Sequence, residues 1–173
     1  MFNSLPFNIR QHLIRYNLSL VGGFNGFFMA KQMNIFSNEF YSKYIDNIYG
    51  NDYSKNMIQV SQRLDQNGTL IKILLMILIF SNNCTIGTKD LVENIQIIVD
   101  TKIIYRIQNI FVTLLWKYLD YQYGFNEAIL RLLSLVKSLL EFIRRVERGS
   151  NIQKHWIMVK NVVEQSNNNP LKE

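Results

Sequence analysis

The sequence predicts an all-α protein, on three observations. Apolar residues recur at the i, i+3, i+4, i+7 spacing of a helix face through most of the 173 residues. No alternation of apolar and polar residues runs long enough to count as a strand, and no internal repeat is present. The most strongly patterned stretch, Lys102 to Arg148, reads as two long antiparallel helices joined at a short break around Tyr123-Gly124. One domain is expected over residues 1–173, with a helical core over about 5–163 and a polar tail over 164–173. A chain of this length buries roughly 70% of its unfolded surface in a single core.

In chain order, Leu5-Pro6 lead into the first element. Proline suits a first-turn position, and Ile9, Leu13, Ile14, Leu18 and Val21 follow at helical spacing. Gly22, Gly23 and Gly26 weaken what comes next, while Phe24, Phe27 and Phe28 keep it apolar. That mixture leaves two outcomes open: close packing or a cavity wall, and a helix end followed by a turn. Met33 to Gln59 is irregular and tyrosine-rich, with Tyr41, Tyr44, Tyr49 and Tyr53, and predicts short helices and turns. Leu64 to Phe80 predicts a buried helix starting near Asp65 or Asn67. Its most apolar part, Ile71 to Phe80, is interrupted by Lys72 and is too short for the roughly 20 residues that span a bilayer. Ser81 to Thr85 and Gly87 predict a polar loop, and Thr88 a cap for a helix through Leu91, Ile95 and Ile98 into the central pair.

In the first central helix, Ile103, Ile104, Ile107, Ile110, Phe111, Leu114, Leu115 and Tyr118 share one face. Tyr105, Val112, Trp116 and Leu119 form a second, weaker stripe. A helix with two apolar faces must be covered on two sides, which predicts a middle layer or a subunit contact. In its partner, Asn126 is expected to cap the N-terminus, and Glu127 suits the positive end of the helix dipole. Ile129, Leu132, Leu133, Val136, Leu139, Leu140, Ile143 and Val146 form the expected main stripe, extended sideways by Ala128, Leu135 and Phe142. Arg144, Arg145 and Arg148 suit the C-terminal turns and Gly149 a C-cap. A last segment carries Ile152, His155, Trp156, Val159, Val162 and Val163 at helical spacing, and the polar Ser166 to Asn169 is expected to end it.

Composition excludes more chemistry than it suggests. The net charge is +6, but the basic residues are scattered and form no long run, so neither direct nucleic-acid binding nor membrane binding is expected. No basic segment followed by an apolar run marks a signal peptide. The single cysteine, Cys84, cannot make an internal disulfide and reads as a small buried or loop residue. His12, Cys84 and His155 lie too far apart in sequence to suggest a metal ligand set, and His155 beside Trp156 reads as a packing or surface residue. No glycine-rich loop joins a strand to a helix, and Asp46, Asp52 and Asp65 show no acid and base pairing. No catalytic residue, metal or cofactor is therefore expected, and an enzyme is the least supported class.

Four stretches in order resemble the C-terminal half of a nuclear receptor ligand-binding domain. Leu13-Ile14-Arg15 is similar to the Leu-Leu-Lys of that family's fourth helix, and Leu74 to Ser81 to the end of its eighth. Ile110 to Leu119, with Tyr121 and Tyr123, looks like the ninth helix. Arg131-Leu132, Leu135-Val136, Leu139-Leu140 and Phe142 follow the tenth-helix pattern with conservative changes. Ile9-Arg10 stands where the family has Asp-Gln, Leu20 falls near where it has a glutamate, and its first three helices have no room before Met1. One cysteine cannot hold the two zinc ions of the family's DNA-binding domain.

The resemblance implies an antiparallel helical sandwich of that ligand-binding type, N-terminally incomplete. It implies a module that regulates transcription in the nucleus, with the cytoplasm as an alternative. Phe24, Phe27, Phe28, Trp156 and Met158 would border a pocket for a small lipophilic ligand. Arg15 would lie at the rim of a groove for an LxxLL coregulator helix. Arg131, Leu135, Lys137, Ser138, Leu139, Phe142 and Ile143 would form the surface of a homo- or heterodimer with another receptor-like domain. Pro170-Leu171-Lys172-Glu173 would begin an activation helix. Two other readings stand beside this one: part of an intact ligand-regulated transcription factor, and an unrelated helical-bundle scaffold or membrane-surface protein.

Overall fold

Helical periodicity becomes an all-helical structure. A computed structural model describes residues 3, 5–81, 97–150 and 152–168. The helices are α1 (Phe7–Gln32), α2 (Glu39–Tyr49), α3 (Asn51–Arg63), α4 (Gly68–Ile79), α5 (Ile97–Tyr123), α6 (Phe125–Ser150) and α7 (Gln153–Asn168). A 3₁₀ turn at Ile35–Ser37 follows α1, and no strand occurs among the described residues. The polar loop expected after Ser81, Cys84, the cap at Thr88 and the segment from Pro170 lie outside the described residues.

α1 passes unbroken through its three glycines. Leu13, Leu20, Phe24, Phe27 and Phe28 all fall on its buried face. Burying a large apolar side chain is worth about 1.5–3 kcal/mol, against roughly 1 kcal/mol lost for a glycine in a helix interior. Packing therefore settles the choice between continued helix and turn. Further on, caps mark the boundaries. The Asn38 side chain accepts from the amides of Phe40 and Tyr41 to start α2. Gly50, at φ 87°, makes the break before α3. Asn67 accepts from Thr69 N at 3.0 Å and Leu70 N at 3.1 Å, so α4 starts where the sequence predicts.

The end of α4 is tied down by the buried Asn17 of α1, whose Nδ2 donates to the carbonyls of Ile79 at 2.9 Å and Ser81 at 2.8 Å. Gly124, at φ 75°, turns the chain between α5 and α6. Three boundaries differ from expectation. α6 begins at Phe125, and the Ala128 amide donates to the Gly124 carbonyl, so Asn126 sits inside the first turn and does not cap it. Gly149 lies within α6 and is no C-cap. α7 continues to Asn168, so residues 164–168 of the expected tail are helical.

α4 packs on both α1 and α5, α6 packs on α5, α3 and α1, and α7 lies on α2 and α6. The main core joins Leu20, Phe24, Val60, Leu70, Leu119 and Leu135, and a smaller one gathers Leu13, Phe80 and Ile104. On α6 the buried line is Ala128, Leu135 and Phe142, the set expected to lie at the side. The reason is Phe142, whose ring meets Phe24 at 5.3 Å and Phe27 at 5.2 Å and so fixes which side of the helix turns inward. Leu133, Val136 and Leu140 of the expected main stripe consequently face outward.

Candidate functional site

Two features stand out once the helices are assembled: a cavity on one side of α6 and an apolar seam on the other. The cavity, about 240 Å³, lies among α1, α2, α3 and α6. Gly23, Gly26 and Phe27 of α1 line it, opposite Tyr41 and Ile45 of α2, with Tyr53 and Met57 of α3 and Phe142 of α6. The spacing of Tyr41, Ile45 and Tyr49 puts all three on one face of α2. A Cβ at Gly26 would meet nothing within 4 Å, so the glycine leaves the space open.

Three tyrosines, Tyr41, Tyr49 and Tyr53, lie in this lining. Tyr49 and Tyr53 stack at 4.6 Å, and the Tyr49 hydroxyl lies 2.6 Å from His155 Nδ1 on α7. Lys154 Nζ donates to the Asn47 carbonyl at 2.8 Å, a second tie between α7 and α2. His155 is thus a packing residue that holds two helices together. Ser54 Oγ donates to the Asp46 carboxylate, with the Asn51 carbonyl at 3.1 Å as an alternative acceptor. Burial pushes the phenols of Tyr41 and Tyr49 up, and that of Tyr53 up to about 12, with the neighbouring Tyr49 and Tyr41 adding to the effect and Arg145 opposing it. All three therefore stay protonated, and able to donate, at physiological pH.

On its other side α6 presents Leu130 and Leu133, each 62% exposed, with Val136 and Leu140. Leu130, Leu133, Lys137, Leu140 and Arg144 follow a 4–3 spacing, which is the pattern of a seam between helices. Beside it runs an open groove lined by Arg63, Asp65, Glu127 and Arg131. There the Arg131 guanidinium donates to Asp65 at 2.8 Å and to Glu127 at 3.0 Å, and its Cζ sits 4.0 Å over the Tyr123 ring.

The residues expected to form sites scatter. Phe24, Phe27 and Phe28 are buried in the main core, and of these only Phe27 lines the cavity. Trp156 on α7 is 61% exposed, and neither it nor the half-buried Met158 lines the cavity. Arg15 is exposed on α1. Of the expected dimer residues, Leu135, Ser138 and Phe142 are buried within the chain, at 1%, 2% and 3% exposure, and are unavailable to a partner. Leu139, Ile143 and Arg131 are half-buried, and Lys137 alone of the set is exposed. The motif spacing located the helix but not the side of it that faces out.

Among the described residues no group of three or more His, Cys, Asp or Glu side chains gathers to hold a metal, and no helix is long and apolar enough to cross a membrane. No protein-family model matches the chain, and neither a curated protein nor a solved structure is found to be similar to it.

Proposed function

We propose that the chain is a non-catalytic helical association module whose outward seam on α6 docks against the same seam of a second copy. One observation carries this reading: α6 fills the core with one face while Leu130, Leu133, Val136 and Leu140 lie in water on another. Clustered large apolar side chains on a surface are the usual mark of a partner contact. The charges favour an antiparallel second copy. With Leu133 opposite Leu140 of the other copy, Glu127 falls between Arg144 and Arg148 of that copy, and twofold symmetry repeats the pairing. Val136 then meets the aliphatic stem of Lys137, whose ammonium reaches out to water.

This reading keeps the dimer function that the receptor-like motifs imply and moves it to the residues left exposed. That the partner class is receptor-like, and the setting transcriptional regulation in the nucleus, is supported by the order of the sequence motifs alone. Sedimentation equilibrium from low to high micromolar concentration tests the association. A monomer and dimer equilibrium, abolished by Leu133→Asp with Leu140→Asp and kept by the control Leu18→Asp on exposed α1 surface, is the expected result. A monomer at every concentration, or dimerisation unchanged in the double variant, sinks it.

A further inference from the structure

The cavity on the inner side of α6 is a built space with a defined chemistry, and it is independent of the outward seam. An apolar cavity of about 150 Å³ takes a benzene ring. At about 240 Å³ this one is larger by roughly one further ring, yet below the range of about 300–1,000 Å³ that takes drug-sized ligands. No Asp, Glu, Lys, Arg or His side chain lines it. A charged ligand would find no opposite charge on this lining, so a neutral occupant suits it. Phe27, Tyr53 and Phe142 give the lining its aromatic surface, which favours a flat occupant. The Tyr49 hydroxyl is engaged by His155, while those of Tyr41 and Tyr53 have no hydrogen-bond partner among the described residues.

We propose that this cavity binds a neutral, planar molecule of two fused rings carrying one hydroxyl or carbonyl oxygen. The rings lie among Phe27, Ile45, Met57 and Phe142, and the oxygen accepts from Tyr41 or Tyr53. Phenols are protonated over the whole physiological range, and burial, which pushes both pKa values up, only strengthens this, so both hydroxyls are donors. Gly26 lines the space and a Cβ there would meet nothing within 4 Å, so a long side chain at this position has the cavity open to it. A four-ring lipid exceeds it.

The probe is 2-naphthol, with naphthalene as the control lacking oxygen. Binding is followed by naphthol fluorescence and by the ¹³C-methyl resonance of Met57. The expected result is saturable 2-naphthol binding that shifts the Met57 methyl and is about fivefold tighter than naphthalene binding, the value of one net hydrogen bond. Tyr41→Phe with Tyr53→Phe should remove that difference. Gly26→Leu, placed where the helix has open space, should keep the helical circular dichroism and lose binding by at least about tenfold. Absence of saturable binding, binding without a Met57 shift, or full binding by folded Gly26→Leu overturns the site. Equal affinity for naphthol and naphthalene overturns the role of the hydroxyls. The Met57 readout decides the location even if Gly26→Leu fails to fold.

Discussion

Two glycines in long helices should answer the same substitution with opposite signs. Gly22 lies within α1, exposed, and a Cβ there would meet nothing within 4 Å. Gly22→Ala gains helix propensity alone, about 0.4–1 kcal/mol, and should raise Tm by roughly 1–4 °C for a domain of this size. At Gly149 the same Cβ would stand 3.0 Å from Tyr53 Oη, 3.3 Å from Tyr53 Cε2 and 3.4 Å from Tyr49 Cε1. Tyr53 has little room to retreat, because its ring stacks on Tyr49 at 4.6 Å and the Tyr49 hydroxyl is held 2.6 Å from His155. Overpacking of this kind costs about 1–3 kcal/mol, against a propensity gain of at most about 1 kcal/mol. Gly149→Ala should therefore destabilise by up to about 2 kcal/mol and lower Tm by several degrees. Thermal unfolding followed by circular dichroism measures both. Tyr53→Phe, which removes the atom in closest contact, should recover part of the loss. If Gly149→Ala raises Tm as Gly22→Ala does, the close approach of α3 to α6 is wrong.

Other consequences are as open to measurement. Phe142→Ala removes a ring that meets both Phe24 and Phe27 and should cost about 3–5 kcal/mol in urea unfolding, whereas Leu140→Ala on the outward seam should cost under about 1 kcal/mol in the monomer. Comparable losses at the two positions would mean that α6 is rotated from its described orientation. Tyr53 sets a pH dependence: from its ordinary value of 10.0 burial raises it to about 12, so the unfolded chain releases this proton first. Its contribution is intact below pH 10 and is lost as pH rises towards 12. Urea unfolding across that window should show a fall in stability that Tyr53→Phe flattens, and an identical fall in both proteins would place the titration elsewhere.

Much of the fold could be read locally. Asn67 before an apolar run marks the start of α4, and Gly124 between two long apolar patterns marks the turn of the hairpin, because caps and positive φ are decided by neighbouring atoms. Orientation was harder. Apolar residues surround so much of α6 that Leu133 and Leu135, or Leu140 and Phe142, are equal candidates for the core by period alone. Contact with Phe24 and Phe27, more than a hundred residues earlier, decides between them. The cavity left one trace in the sequence, the four-residue spacing of Tyr41, Ile45, Tyr49 and Tyr53, which continues across the break at Gly50. That Gly23 and Gly26 would come to face those side chains is a tertiary fact with no local signature.

Asn67 carries two duties on one side chain. Its Oδ1 caps α4 while its Nδ2 donates to the hydroxyls of Tyr118 at 2.9 Å and Tyr123 at 2.8 Å, near the end of α5. The first turn of α4 and the last turns of α5 are thereby clamped in register. Sliding either helix by one turn, about 5.4 Å, would break both bonds of the latch, and release of the Asn67 side chain would free the cap as well. Fraying, normally a private affair of each helix end, becomes a shared event here. The amides of Thr69 and Leu70 should exchange with solvent on the schedule of the α5–α6 hairpin.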